Sequence, residues 1–177
     1  MFSKILSLVP KNFFLYKLSS IYKRYYEGFS YNIYANGEER LLKLLSSENI
    51  YLIFDVGANI GNWTKKVYQF FENPSIHSFE ISSSTFETLN QNLKNYKNVH
   101  LNSFGLSDRN GEFSYKDYGA NSGINTINNS SEFHDHELDF TLKTCKLKTG
   151  DKYCSEKNVT KIDLLKIDVE GSESSVL

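Results

Sequence analysis

The sequence predicts an α/β fold in which helices flank a parallel β-sheet. The first observation is a set of short apolar runs, such as residues 51–56, that are rich in aromatic and branched side chains and too short to be helices. The second is that segments of helical periodicity follow these runs, which is the alternation typical of a parallel sheet. The third is that two of the runs reach an acid and then a glycine, at Asp55 and at Asp168.

The length and composition fit one globular domain. The chain has 177 residues, of which 40% are apolar and 23% charged, and this length can bury a single sizeable core. The formal net charge of −1 gives no reason to expect a nucleic-acid partner. Cys145 and Cys154 form neither a disulfide framework nor a metal pattern, so we expect a reduced, cytoplasmic setting. No apolar run in the sequence approaches the roughly 18 residues that span a bilayer.

The first 36 residues differ in composition from the rest of the chain and form a predicted N-terminal extension to the main domain at residues 37–177. Basic residues are interleaved with aromatic ones across residues 1–34, and Glu27 is the one acid among them. One interpretation is a basic amphipathic segment that touches a membrane surface or an acidic partner. The other, which we favour, is a helical extension that packs its aromatic rings on the domain. A signal peptide fits poorly, because the apolar core at residues 5–9 is too short.

The first half of the main domain has a regular pattern. Its predicted elements are a helix over residues 37–47, a strand over 51–56, a helix behind Gly61 that stops at Asn73, a strand over 76–81, a helix from Ser84 and a strand over 99–104. The first helix should bury a face of four leucines between positions 41 and 45. The third should begin with a capping box formed by Ser84 and Glu87.

The second half is less regular. It contains a predicted turn over residues 108–111, a short strand over 113–115, a loop over 119–131 and a half-exposed antiparallel strand around 138–142. An apolar strand over residues 162–169 then ends in acid, and the chain turns at Gly171 into a helix.

The turn after the strand at residues 51–56 is typical of a cofactor site. Gly57 and Gly61 permit backbone conformations that a Cβ would forbid, and a helix begins directly behind them. A dinucleotide fingerprint would need glycine at positions 59 and 62, where asparagines stand. By charge, the Asp55 carboxylate suits a cationic ligand such as S-adenosylmethionine better than a phosphate. Glu80, at the end of the next strand, is placed to bind both hydroxyls of a ribose.

These residues resemble a known family. Residues 55–61 (Asp-Val-Gly-Ala-Asn-Ile-Gly) are similar to motif I of class I methyltransferases. Together with Phe79-Glu80, Leu106-Ser107-Asp108 and residues 165–173 (Leu-Lys-Ile-Asp-Val-Glu-Gly-Ser-Glu), they resemble specifically the FkbM family. The resemblance runs from about residue 36 to residue 177, and its most specific part is the Ile-Asp-Val-Glu-Gly-Ser-Glu element.

The resemblance implies a Rossmann-like class I methyltransferase fold and an enzyme that uses S-adenosylmethionine. The methyl acceptor would be a hydroxyl on a saccharide or on another small metabolite. Carried over by position, the residues that would line the methionine portion of the cofactor are Asp55, Gly57, Asn59 and Gly61. Glu80 would hold the ribose, and Ser107 and Asp108 would lie beside the adenine.

Asp168 and Glu170 are the candidate catalytic residues. Both lie at the carboxyl end of a predicted central strand, where ligands meet an open α/β sheet. A hydroxyl acceptor must lose its proton as the methyl group arrives, and a positioned carboxylate can accept that proton. Which of the two is the base, and which orients the acceptor, stays open. The structural alternative is that one of them caps the following helix or pairs with Lys166.

Other reactive residue types predict no second site. Residues 134–136 (His-Asp-His) and Asp139 are metal-ligand types, but their segment is irregular and lacks a second pair, so no metal site is predicted. His77 and His100 lie in predicted strands and are expected to be structural. Cys145 and Cys154 are expected to be unpaired thiols.

The resemblance departs from the family in length. The class I methyltransferase fold has seven strands, and this sequence supplies them up to the fourth, with the start of the helix behind it. The strand at residues 162–169 would then become an edge. We expect a fragment of a longer protein in preference to a partner chain that covers the edge or an unstable product. The alternative function is a non-catalytic cofactor-binding or interaction remnant, and no oligomeric state is predicted.

Overall fold

The structure is a computed structural model that describes residues 37–119 and 139–177, together with Leu18, Ser19, Tyr22, Tyr26 and Ile127. Most of the predicted N-terminal extension, most of the predicted loop at 119–131 and the His-Asp-His segment at 134–136 lie outside the described residues. Tyr22 and Tyr26 are exposed, and their ring centroids lie 6.4 Å apart. The packing of the extension's aromatic rings on the domain stays a prediction.

The chain divides into two compact units, residues 1–44 and 45–177. Helix α1 (Glu38–Leu45) ends at this boundary. Leu42 is 2% exposed, whereas Leu41 and Leu44 are 54% and 66% exposed, so the predicted four-leucine buried face is wrong. At about 100° per residue the four leucines spread over roughly 160° of the helix circumference, which is too broad a stripe for one packing contact.

The other described elements belong to the second unit. In chain order they are β1 (Leu52–Val56), α2 (Asn62–Phe70), β2 (Ser75–Phe79), α3 (Ser83–Leu93), β3 (Val99–Asn102), β4 (Gly105–Ser107), β5 (Gly111–Asp117), β6 (Thr141–Thr149), α4 (Gly150–Lys157), β7 (Leu164–Ile167) and α5 (Glu173–Val176). The six elements predicted in the first half of the domain are all present, with their ends shifted by a few residues.

A four-stranded parallel sheet in the order β3-β2-β1-β7 lies at the centre of the second unit. Phe54 and Val56 of β1 pack on one face with Tyr153 of α4. On the opposite face, the Thr64 hydroxyl of α2 donates a hydrogen bond to the Asp55 carboxylate. Helices thus cover both faces, and the predicted α/β fold, a parallel sheet with flanking helices, is confirmed.

A second sheet of three strands, in the order β4-β6-β5, adjoins the end of β2. β6 runs antiparallel to β5, as predicted, but it begins at Thr141 instead of around residue 138. Leu142 is exposed, and Cys145 and Leu147 are the buried residues of β6. Ile81, just after β2, packs against the buried side chains of this sheet. The apolar alternation that predicted the strand therefore does not mark its core face.

The start of α3 differs from the prediction. Its N-cap is Ser82, whose Oγ accepts a hydrogen bond from the Thr85 amide at 3.4 Å. The predicted capping box of Ser84 and Glu87 is therefore wrong. The cap lies two residues earlier because the Ser82 amide is held by the Glu80 carboxylate, which fixes Ser82 in an extended conformation.

The predicted strand over residues 99–104 is also shorter than expected. β3 stops at Asn102, where the side-chain amide donates to the Ser78 carbonyl at 3.2 Å, and the chain enters the second sheet at Gly105.

None of the described helices is both long and apolar enough to cross a membrane.

Candidate cofactor and active site

The carboxyl ends of β1, β2 and β7 meet at one edge of the parallel sheet. The amides of Gly57 and Ala58 donate to the Phe79 carbonyl at 3.0 and 2.9 Å. On the other side of β1, the Asp168 amide donates to the Val56 carbonyl at 3.0 Å. The structure therefore brings the glycine turn, the Glu80 end of β2 and the Asp168 end of β7 together.

Gly57 is required at this edge because β7 passes against it. Its φ is +79°, and a Cβ built there would lie 1.9 Å from the Asp168 carbonyl oxygen. Gly61, at the other end of the turn, has a φ of +85°, and its Cβ would lie 2.8 Å from Leu89 and 2.9 Å from Leu93 of α3. Both positions therefore need glycine for its conformation, and at Gly57 the added constraint is a contact with main-chain atoms.

Glu80 holds the turn from the β2 side. Its Oε2 accepts from the Asn59 amide and its Oε1 from the Ser82 amide, both at 2.9 Å. Burial raises the pKa of Glu80, while the two amide hydrogen bonds oppose that shift and the nearby Asp55 adds to it. A carboxylate offers about four acceptor positions, so two amides leave capacity for further donors such as ribose hydroxyls.

Four of the five amides of the glycine turn donate within the chain. Gly57 and Ala58 donate to Phe79, Asn59 donates to Glu80, and the Gly61 amide donates to the Ala58 carbonyl at 2.9 Å. A phosphate-binding loop instead presents such amides to its ligand. The donor pattern thus argues against a phosphate at the turn itself, which agrees with the failed dinucleotide fingerprint.

Asp55 is the centre of a buried polar row. It is 0% exposed, and its Oδ2 accepts from the Thr64 hydroxyl at 2.6 Å. Ser78 stands opposite it on β2 and lies 3.0 Å from the same hydroxyl. Lys166 stands opposite it on β7, with its Nζ 3.1 Å from Asp55 Oδ1. A ligand at this edge would meet the residues around Asp55 and not its carboxylate.

Lys166 connects this row to the strand ends. Its Nζ donates to the Gly57 carbonyl at 2.9 Å and lies 3.6 Å from Asp168 Oδ2. It also lies 5.9 Å from the centre of the Trp63 ring. The sequence left open whether Asp168 pairs with Lys166, and the structure contains that ion pair.

Asp168 and Glu170 differ in their settings. The Asp168 side chain is 65% exposed, whereas Glu170 lies at a backbone φ of +51° in the turn before α5. The start of α5 is held by Glu173, whose Oε1 accepts from the amides of Val169 and Gly171 at 3.2 and 3.1 Å. Burial acts to raise the pKa of Glu173, but these and its own amide hydrogen bond outweigh burial and lower it.

Ser107 is the last residue of β4 in the second sheet, and Asp108 follows it. Ser107 is buried, and its hydroxyl donates to Asp108 Oδ1 at 3.0 Å, while Arg109 lies 3.4 Å from the same carboxylate. Leu106 packs in the same apolar cluster as Val169 of the turn after β7. The structure therefore brings the Ser107 end of β4 to the neighbourhood of the Asp168 strand end.

Comparison with known families agrees with this arrangement. The model of the methyltransferase FkbM domain matches residues 55–177, from the first acid of the glycine turn through α5. The chain belongs to the FkbM family. The family resemblance predicted from residues 55–61, 79–80, 106–108 and 165–173 is thereby confirmed.

Two individual proteins resemble this FkbM-family chain. The 2-O-methyltransferase NoeI of Sinorhizobium fredii (strain NBRC 101917 / NGR234) is 26% identical over 138 residues, which cover 71% of this chain. The chain spans 56% of the length of NoeI. The crystal structure of methyltransferase FkbM from Methylobacillus flagellatus KT aligns at 14% identity and a TM-score of 0.47, over 72% of this chain and 28% of that one.

Several residues of the candidate site were not predicted. Thr64, Ser78 and Ser82 support the site through Asp55 and Glu80, and the Asn92 side chain donates to the Ile60 carbonyl in the turn at 2.8 Å. The available signal was a polar residue inside an apolar strand, as at Ser78. Asn92 carries no such signal, because asparagine on a helix surface is ordinary.

His77 is buried inside the fold, and Cys145 lies close enough to Glu80 to feel its charge. His77 Nδ1 lies 2.7 Å from the Tyr153 hydroxyl in the aromatic cluster under α4. Burial raises the pKa of the Cys145 thiol to about 11, and both cysteines are free. Within residues 37–119 and 139–177 no group of side chains could hold a metal ion.

Proposed function

We propose that this chain is the catalytic domain of an S-adenosylmethionine-dependent methyltransferase that acts on a hydroxyl. The observation that carries the proposal is the shared edge of β1, β2 and β7, where the glycine turn lies beside Glu80 and Asp168. Membership of the FkbM methyltransferase family supports it, as does the similarity to a protein named as a 2-O-methyltransferase.

The residues present fit S-adenosylmethionine. The turn from Gly57 to Gly61 uses four of its five amides internally, so it suits a ligand without phosphate. Glu80 keeps acceptor capacity for the ribose hydroxyls, and Ser107 and Asp108 are the polar residues proposed for the adenine side. Asp55 acts in this proposal through Lys166 and Thr64, because its own carboxylate is buried.

The reaction proposed is the methylation of a hydroxyl on a saccharide or another small metabolite. When bound, S-adenosylmethionine supplies an electrophilic methyl group on a sulfonium and leaves as the neutral thioether. Asp168 accepts the proton that the hydroxyl loses, because its exposed carboxylate lies at the strand end beside the glycine turn. Glu170 orients the acceptor from the turn after β7. Most of the rate would come from holding acceptor and methyl group together.

Calorimetry with S-adenosylhomocysteine tests the cofactor assignment. We expect the wild-type chain to bind and Glu80→Gln to bind about tenfold more weakly, because a charge-assisted hydrogen bond contributes about 1.5–3 kcal/mol. Glu87→Gln is the matched control, since Glu87 is exposed on α3 and should bind like the wild type. No heat of binding with the wild-type chain would refute the cofactor assignment.

A methyl-transfer assay with Asp168→Asn then separates an enzyme from a cofactor-binding remnant. We expect this variant to bind S-adenosylhomocysteine as the wild type does while its turnover falls by about 10²-fold or more, because the proton acceptor is lost. Binding without turnover in the wild-type chain would instead favour the non-catalytic remnant.

A cytoplasmic setting stays part of the proposal, supported by two free thiols.

A further inference from the structure

The Lys166 ammonium contacts three groups at the carboxyl ends of the parallel strands. It pairs with the buried Asp55 carboxylate of β1, donates to the Gly57 carbonyl in the turn and lies beside the Asp168 carboxylate of β7. Glu80 on β2 also feels its charge, which acts to lower the pKa of that carboxyl. One cation therefore lies among three carboxylates.

The two ion pairs of Lys166 are unequal. The Nζ lies 3.1 Å from Asp55, which is 0% exposed, and 3.6 Å from Asp168, whose side chain is 65% exposed. Attraction between charges is stronger where water is excluded, so Asp55 is the anchor and Asp168 the weaker partner. The Asp168 carboxylate is thus held in place and still keeps most of its surface open to a substrate.

We propose that Lys166 is a positioning residue that fixes the glycine turn and the Asp168 carboxylate relative to each other, with Asp55 as its anchor. The Gly57 carbonyl and the Asp168 carboxylate both contact the same Nζ, so a movement of either group changes its contact with the shared ammonium. This inference rests on the proposed function, because it assigns the cofactor to the turn and the proton acceptor to Asp168.

Removing Lys166 alone is a poor test, since it leaves the Asp55 charge buried without its cation and can unfold the chain. The double variant Asp55→Asn/Lys166→Met removes both charges together and keeps an oxygen that can accept from Thr64. Lys166→Arg keeps the charge and serves as the conservative variant. Lys148→Met is the matched control, because Lys148 pairs with Glu156 in a separate ion pair between β6 and α4.

The first readout is amide hydrogen exchange in the ligand-free protein. We expect the double variant to exchange the Gly57, Ala58 and Asp168 amides about tenfold faster relative to the Tyr115 amide of β5. Lys166→Arg should restore part of that protection, and Lys148→Met should change none of it. A pair that only stabilised the fold would speed exchange equally at all four amides, and that result would overturn the proposal.

The second readout is calorimetry with S-adenosylhomocysteine. We expect the folded double variant to bind about tenfold more weakly than the wild type and Lys166→Arg to recover part of the loss. Unchanged binding in the double variant would contradict a positioning role. If the wild-type chain itself does not bind, the proposed function fails, and the exchange pattern still decides the role of Lys166.

Discussion

Gly57 is the residue at which the turn after β1 meets the end of β7. Its positive φ alone would make another residue costly, but the nearer constraint is the Asp168 carbonyl, which occupies the space where a Cβ would stand. The main-chain atoms of Asp168 cannot move aside from an added Cβ as the end of a flexible side chain could. Gly57 therefore fixes the distance between the proposed cofactor turn and the proposed proton acceptor.

We predict that Gly57→Ala destabilises the fold by about 3 kcal/mol or more, because it combines backbone strain with a clash against main-chain atoms. Gly150→Ala is the matched control: nothing lies within 4 Å of its Cβ position at the start of α4, so its stability should be unchanged or slightly raised. Urea denaturation of both variants provides the measurement. Equal midpoints would show that β7 can move away from the turn.

His77 illustrates how one buried side chain makes stability depend on pH. Burial lowers its pKa from 6.5 to about 4, with the charges of His100 and Lys157 adding to that shift. Its ring stacks on Phe54 and its Nδ1 is hydrogen-bonded to Tyr153. The folded protein therefore holds this imidazole neutral at a pH where the unfolded chain would protonate it.

Because the unfolded chain binds the extra proton, the free energy of unfolding should fall as the pH drops from 6.5 towards about 4. Above that window the contribution of His77 is fully present. We predict that His77→Phe lowers stability at neutral pH by about 1 kcal/mol, through loss of the Tyr153 hydrogen bond. The difference from the wild type should shrink at about pH 5. An equal difference in the free energy of unfolding between His77→Phe and the wild type at both pH values would contradict this prediction.

At the scale of elements, three helix starts are held by carboxylates and hydroxyls near the strand ends, whereas α2 begins behind Gly61 without a side-chain cap. Ser82 caps α3, Thr149 caps α4 and Glu173 reaches back over the start of α5. The Ser82 cap is tied to β2, because the Glu80 carboxylate holds its amide. A helix start and a candidate cofactor contact therefore depend on each other.

The elements are predictable from the sequence where one physical cause dominates. The strand at β1 is predictable because it is buried on both faces, so that Asp55 is the one polar residue in an otherwise apolar run. The start of α3 is not, because Ser82, Ser83 and Ser84 all suit a cap, and the choice among them depends on Glu80. The predicted position of β6 is displaced because its outer residues, such as Leu142, are as apolar as its inner ones.

At the scale of the whole second unit, the small sheet supports the edge of the parallel one. The Tyr115 hydroxyl of β5 is hydrogen-bonded to the Ser82 side chain, which favours the ionised hydroxyl, although burial dominates and raises the Tyr115 pKa. Ser82 in turn donates its amide to Glu80. A continuous path of contacts thus leads from the second sheet to the proposed ribose contact.

We predict that this path is energetically coupled. Tyr115→Phe and Ser82→Ala should each destabilise the chain by about 1 kcal/mol, and the double variant should lose less than their sum, because both remove one shared hydrogen bond. Tyr153→Phe, on the face of α4 that packs on His77, should add independently to Ser82→Ala. Strict additivity of Tyr115→Phe with Ser82→Ala would mean that the two sheets are not coupled here.

The sequence predicts which acids form the candidate site, but it does not predict which residues hold those acids in place. The acids at positions 55, 80 and 168 end apolar strands, so the sequence predicts that they meet at one edge, and they do. It could not predict that Asp55 is sealed beneath Thr64, or that Glu80 is held by the amides of Asn59 and Ser82. Those contacts depend on how the strands and turns come together in three dimensions, and no local pattern encodes them.

The pairing of Asp55 with Lys166 also has a consequence for how the sequence can vary. The two residues face each other in the register of β1 and β7, and a slip of one position would leave Asp55 opposite Leu165 or Ile167. A change at either position alone strands a buried charge. Positions 55 and 166 should therefore covary among homologous sequences. Each relative should carry either a charged pair or two neutral residues at these positions.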